Sequence, residues 1–273
     1  MIPEAIRVSP EWLDLRERAD ADARSRELVG HLRHVLPAGG PHLIHDLACG
    51  GGAMGRWLAP LLPGPQRWIL HDRDRDLLAL AGGDVPAAAA DGAPVAVETR
   101  ATDITRLGAD ELAGATLITA SALLDLLTGG ELESLVHRCA AAACPVLFTL
   151  SVTGRVLLTP GDPLDARAGA AFNAHQRRAT ARGTLLGPDA LEAAVEAFRR
   201  LGADVIVRES PWRLGVADTA LIVEWLAGWL GAACEQDGAF AAESSLYRRR
   251  RQRDAVAGRL TVTVGHADLL VLP

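Results

Sequence analysis

Between residues 42 and 152, short apolar runs alternate with stretches of helical periodicity. Residues 42–47, 67–71, 95–101, 116–120 and 145–152 read as five strands. Most are near-continuous runs of Leu, Ile, Val and Ala, the pattern of strands covered on both faces and hence of a parallel sheet. Helices are predicted over 53–62, closed by Pro63-Gly64-Pro65, and over 76–81 and 130–143, with an Ala/Gly/Pro-rich loop at 82–94. Such alternation predicts a doubly wound α/β fold with helices on both faces of the sheet.

The pattern changes after residue 152. Residues 154–187 are Arg-rich and turn-rich and interrupt the alternation. A helix follows at 188–201 with Pro188 in its first turn, then a strand at 204–209 and a helix at 221–234 carrying Trp225 and Trp229 one turn apart. Residues 259–272 read as a long strand, with Gly265 placed for a bend or bulge. Upstream, residues 10–35 read as one amphipathic helix. The whole chain, 1–273, is expected to be a single domain, with a helical N-terminal lid at 1–38 and a cap-like insertion after the fifth strand at 153–187.

Composition narrows the function classes. Hydrophobic residues make up 49% of the chain, enough for a large core, and the net charge of −6 argues against broad contact with nucleic acid or anionic lipid. All basic residues are Arg. No uninterrupted apolar run is long enough to span a membrane, and Met1-Ile2-Pro3-Glu4 does not open a secretory signal, so a cytoplasmic protein is expected. Cys49, Cys139, Cys144 and Cys234 form no Cys-x-x-Cys pair, which predicts buried thiols rather than a zinc site or disulfide framework. The Arg248–Arg251 run with Arg253 points in several directions on a helix and reads as solvated.

The segment that carries chemistry is His45-Asp46-Leu47-Ala48-Cys49-Gly50-Gly51-Gly52, between the first strand and the next helix. Glycines let the backbone turn sharply and approach a ligand closely. In a doubly wound sheet, ligands bind beyond the carboxyl ends of the strands. Gly50-x-Gly52-x-x-Gly55 also satisfies a loose dinucleotide pattern. Asp46 opposes that reading, because a carboxylate there repels a pyrophosphate and suits an ammonium group.

This segment resembles motif I of the class I S-adenosylmethionine (SAM)-dependent methyltransferases, with Ala48 where the first motif glycine often lies. The resemblance implies a mostly parallel seven-stranded sheet with an antiparallel last strand. It implies that Asp46, Ala48, Cys49, Gly50 and Gly52 surround the methionine part of SAM. Asp72, followed by Arg73, matches the acidic residue that binds the ribose hydroxyls. Asp103 matches the acceptor for the adenine amino group, with Ile104 packing nearby. Ser121 and Asp125 fall in the motif IV region, facing the transferred methyl.

For the acceptor, the N-terminal stripe Trp12, Arg16, Asp20 and Arg24 recurs every four residues and offers Arg16 to the SAM carboxylate or an anionic substrate. The insertion offers Asn173, His175 and Gln176, with His175 the first general-base candidate and Ser121 and Asp125 the alternatives. Trp212 is a candidate aromatic wall. The expected activity is methyl transfer to a small molecule. An NAD(P)-dependent oxidoreductase and a non-catalytic SAM-binding protein remain the competing readings.

Overall fold

The structure, a computed structural model, describes residues 8–273. Residues 1–7, including the start of the expected N-terminal lid, lie outside the described residues.

The chain opens with two helices, α1 (Pro10–Ala23) and α2 (Arg26–Val35), where one was expected. Arg24 takes an extended conformation, and Ser25 caps a new helix by accepting the Leu28 N–H. An N-capping serine restarts the helix in a new direction although the apolar pattern runs through.

The first half then alternates: β1 (His42–Leu47), α3 (Ala53–Leu58), β2 (Gln66–Asp72), α4 (Arg75–Asp84), β3 (Val95–Ala101), β4 (Leu117–Ser121) and α5 (Gly129–Ala141). Thr128 and Glu131 form the capping box that starts α5. The second half comprises β5 (Val146–Thr159), α6 (Asp165–Gln176), a small hairpin of β6 (Ala179–Thr180) and β7 (Gly183–Thr184), α7 (Ala190–Arg200), β8 (Asp204–Glu209), β9 (Trp212–Leu214), α8 (Thr219–Gln236), α9 (Gly238–Glu243), α10 (Ser245–Val256) and β10 (Thr261–Leu272).

The strand order is β3-β2-β1-β4-β5-β10-β8, with β9 also paired to β10. β1 to β5 are parallel, and β10 runs antiparallel to β5, β8 and β9. The expected antiparallel last strand is present. The sheet has eight strands rather than seven, because Trp212–Leu214 adds β9.

The fifth strand was expected to end at residue 152, and the insertion to begin there. It runs to Thr159 instead. Its second half pairs with the first half of β10, from Thr261↔Thr159 to Val264↔Val156. A long-range partner overrides the glycine and charged residues that read as a break. The register shifts at Gly265, as expected, where a Cβ would collide with Thr153 Oγ1.

Side chains alternate across the sheet. Leu47, Ile118, Ala120, Phe148 and Leu269 pack with α5 and α7 on one face. Ile44, Trp68, Leu70, Leu147 and Leu270 pack with α2, α3 and α4 on the other. A further core lies on the β5–β10 arm, where Leu158, Val262, Val264, Trp212 and Leu214 meet α6, α8, α9 and α10. Within it Trp225 and Trp229 stack at 5.3 Å. Residues Val216–Gln236 are long and apolar enough to cross a membrane by length and composition, although Asp218 and Glu224 interrupt the apolar run. In this fold α8 buries Leu221, Trp225, Trp229 and Ala233 in that core. The Arg run divides likewise: Arg250 and Arg251 turn to Asp162 and Asp165, while Arg248, Arg249 and Arg253 are exposed.

Candidate functional site

The glycine loop leaves β1 through a backbone that few residues adopt. Ala48, Gly50 and Gly52 have φ of 54°, 54° and 83°. Ala48 thus occupies a left-handed conformation that glycine reaches more easily. At Gly52 a Cβ would lie 3.1 Å from the Cβ of Ala81, so α4 closes tightly on the loop.

Asp72, at the end of β2, accepts the Gly50 N–H at 2.8 Å and the Asp74 N–H at 2.9 Å, one on each carboxylate oxygen. It therefore ties the loop to the next strand end and keeps lone pairs on both oxygens. Arg73 beyond it is exposed. Asp103 caps the short turn Ile104–Arg106 by accepting the Thr105 N–H and hydroxyl on Oδ1. Ile104 is buried against the α5 side of the sheet. Cys49 is buried, and burial pushes its thiol well above the usual range. It is a space-filling group, not a ready nucleophile.

Beneath the loop lies a buried polar layer on the sheet face toward the N-terminal helices. Asp46 Oδ1 accepts the Thr119 hydroxyl at 2.8 Å, and Asp46 Oδ2 is buried without a partner among the described residues. Burial pushes this carboxyl up to about 7, against the opposing pull of Thr119 and Arg24. Ser121 Oγ is 3.0 Å from the Thr149 hydroxyl and receives an N–H of Arg24 at 3.1 Å.

Arg24 is the residue that sequence reasoning passed over. It belongs to the stripe already noted, yet it is only 3% exposed. It also meets the Ala53 carbonyl at 3.4 Å and the face of Trp57 at 5.4 Å, and among the described residues its Nε has no partner. Burial lowers its pKa, while Asp20, Asp268 and Asp46 attract its charge. Asp268 pins the neighbouring backbone, its Oδ2 accepting the Ser25 N–H at 2.7 Å. The sequence signal for Asp268 was a lone carboxylate in an apolar strand.

Helix α1 lies across the loop. Leu13 Cδ1 is 3.3 Å from where a Cβ on Gly50 would stand, and Glu17 pairs with Arg56 of α3 at 2.6 Å. Arg16 is held by Asp20 at 2.9 Å and lies over Trp212 at 4.9 Å. Trp212 is buried, donates to Asp20 at 2.9 Å and packs against Trp12 and His266. The stripe is therefore a packed cluster, not a solvated face.

The insertion residues disperse. His175 Nε2 lies 3.2 Å from Glu235 of α8. Asn173 donates to the Gly154 carbonyl at 2.8 Å, and the Oδ1 of Asn173 and Oε1 of Gln176 are buried without partners among the described residues. Asp125 stands in the turn after β4 with accessible surface.

Three histidines carry an acid-sensitive signature. His45 and His71 stack, with Nδ1 and Nε2 3.0 Å apart, and burial lowers each to about 4. Burial, reinforced by Arg16, lowers His266 to about 3. Each prefers its neutral form in the folded state. Their stabilising contribution is complete above the ordinary histidine value near 6.5 and is lost as pH falls through about 4. The melting temperature is expected to fall between pH 6.5 and 4, and less so in His45→Gln/His71→Gln. Equal slopes for the two proteins, followed by circular dichroism, would refute the assignment.

No protein-family model matches this sequence, and no curated protein matches it. Solved structures do. The cyclopropane synthase MmaA2 from Mycobacterium tuberculosis superposes with a TM-score of 0.50 at 13% identity, covering 97% of this chain and 94% of that one. The chain has the fold of the class I SAM-dependent methyltransferases. A SAM-dependent methyltransferase from Geobacter sulfurreducens in complex with S-adenosyl-L-homocysteine matches at TM-score 0.46 and 14% identity, covering 97% of this chain and 98% of that one. Another from Thiobacillus denitrificans, in the same kind of complex, matches at 0.46 and 13%, covering 98% and 100%.

Proposed function

We propose that this chain is a SAM-dependent methyltransferase acting on a small-molecule acceptor. The observation that carries the reading is the pairing of two incomplete groups in one buried layer. Among the described residues, Asp46 has an acceptor oxygen without a donor, and Arg24 has an N–H without an acceptor. They attract each other but form no ion pair. An α-amino-acid head supplies the missing partners of both: its ammonium for Asp46 and its carboxylate for Arg24. A nicotinamide dinucleotide carries no such zwitterion, and its diphosphate would meet the Asp46 carboxylate.

Asp72 then holds the ribose hydroxyls with its remaining lone pairs, and Asp103 offers Oδ2 to the adenine amino group. Arg24, rather than Arg16, takes the SAM carboxylate, because Arg16 is bound to Asp20. When bound, SAM supplies an activated methyl group with an excellent leaving group. The chain's task is to orient, to exclude water and to align the acceptor. Helix α1 covers the loop and serves the second of these.

Isothermal titration tests the reading. SAM is expected to bind, and to bind roughly 10- to 100-fold more weakly to Asp72→Ala and to Arg24→Met, each losing charge-assisted hydrogen bonds. Absence of SAM binding, or preferential binding of NAD, overturns it.

A further inference from the structure

Helix α10 is fastened to the protein along one side. Tyr247 and Ala255 enter the core shared with α8, and the Tyr247 hydroxyl donates to Asp165 at 2.8 Å. Buried Arg251 also reaches Asp165 and gives an N–H to the Pro160 carbonyl at 2.6 Å. On the flanks Arg250 pairs with Asp162, and Asp254 accepts from Arg259 at 2.7 Å.

The opposite side is built differently. Leu246, Arg249, Arg253 and Val256 are spaced by three and four residues and so share one stripe. Leu246 is 67% exposed and Val256 65%. Val216 stands at the end of the helix, 3.0 Å from where a Cβ on Gly258 would lie, and is 73% exposed. Exposed aliphatic residues scattered singly need no explanation, but a group of them set among arginines on one face does. Among the described residues no ion pair reaches Arg248, Arg249 or Arg253. The one acid of α10 is Asp254, already paired, and Glu243 just before the helix is held by Arg167 at 2.9 Å. The face is therefore apolar and cationic with no charge of its own to answer the arginines.

An open groove of about 640 Å³ runs between Leu246, Arg249, Gln252, Arg253, Val256 and Ala257. All of that lining comes from one helix and the residue after it, so no second wall encloses a small ligand. The face suits a partner that is itself a surface. A second copy of this chain, meeting the same face across a two-fold axis, would set arginine against arginine. A nucleic acid would answer the arginines but not the aliphatic side chains, and no aromatic residue of the groove offers a base a stacking plane. An anionic bilayer answers both. Aliphatic side chains enter the boundary between headgroups and acyl chains, and neighbouring arginines extend to the lipid phosphates.

We propose that the outward face of α10 docks this protein on an anionic membrane surface, with the helix lying in the interface rather than crossing it. The proposal is independent of the methyl-donor reading. It replaces the sequence expectation of a solvated arginine run at this one face. The net charge of −6 still opposes broad adsorption, which confines the contact to the helix where cations are uncompensated.

The test floats the full-length protein with vesicles of phosphatidylcholine alone or mixed with phosphatidylglycerol. Binding is expected only to the mixture, and to weaken in about 0.5 M salt. Arg249→Gln/Arg253→Gln is expected to weaken it roughly 30-fold, and Leu246→Asn/Val256→Asn roughly 10- to 100-fold. Arg199→Gln/Arg200→Gln removes the same charge from α7 and is expected to leave binding unchanged. All six side chains are exposed, so circular dichroism is expected to show unaltered melting in each variant.

Absence of binding to the mixture, or equal binding to phosphatidylcholine alone, overturns the proposal. So does equal weakening by the α7 pair, which would make the attraction diffuse, or undiminished binding in Leu246→Asn/Val256→Asn. A dimer in sedimentation that the α10 substitutions dissolve would give the face to a second copy instead. Displacement from the vesicles by a DNA duplex would give it to nucleic acid.

Discussion

Asp46→Asn is expected to bind SAM roughly 100-fold more weakly than wild type and yet to be the more stable protein at pH 8. Both effects follow from the same oxygen. Asp46 is 1% exposed, and among the described residues only Thr119 bonds it directly. Burial raises its carboxyl from 3.8 to about 7. The unfolded chain ionises this group from about pH 4 upward. The folded chain resists ionisation until about pH 7. Between those values stability falls as pH rises, and above pH 7 the folded state holds a buried charge at a cost of about 4 kcal/mol. Asparagine keeps an acceptor for Thr119 and carries no charge. Urea denaturation is therefore expected to show the variant ahead at pH 8, with the gap closing toward pH 5. A gap independent of pH would refute the account. A carboxylate kept here at such a cost is intelligible when a cation completes it, as the ammonium of SAM would.

Asp268→Ala is expected to lose about 2–5 kcal/mol, in the range for leaving two buried backbone donors without their acceptor. Asp268 Oδ1 accepts the Leu150 N–H at 2.8 Å and the Ser210 hydroxyl at 2.5 Å, and Oδ2 accepts the Ser25 N–H. Alanine removes the acceptor of two backbone donors. One belongs to Leu150, at φ 57°, where β5 departs from regular geometry; the other begins α2. Trypsin reports the local effect, since the Arg24–Ser25 bond lies at the released junction. Cleavage there is expected to accelerate well beyond the global loss of stability. A loss under about 1 kcal/mol, or unchanged protection of that bond, counts against the latch.

The two residues also show what was legible. Asp46 stands out in the sequence because it precedes a glycine turn at the end of an apolar strand. Asp72 and Asp103 are visible for the same reason. A strand end, a turn and a helix start are local events, written in consecutive residues. Arg24, Asp268 and Thr119 come from positions far apart in the chain, and only the stacking of β1, β4, β5 and β10 beneath α1 brings them together. His175 was favoured by residue type alone; its helix turns it toward Glu235, a direction set by packing on α8.

By itself, then, the sequence determined the alternating α/β core, the glycine loop and the carboxylates at successive strand ends, since periodicity and turn chemistry are short-range. The tertiary structure decided the rest. It broke the N-terminal helix at Ser25, because a cap and a distant carboxylate together hold the backbone there. It carried β5 to Thr159, because an antiparallel partner satisfies backbone groups that an isolated segment would leave to water. It also selected which polar side chains share a buried space, and burial with charge, not residue identity, sets what Asp46 and Arg24 can do.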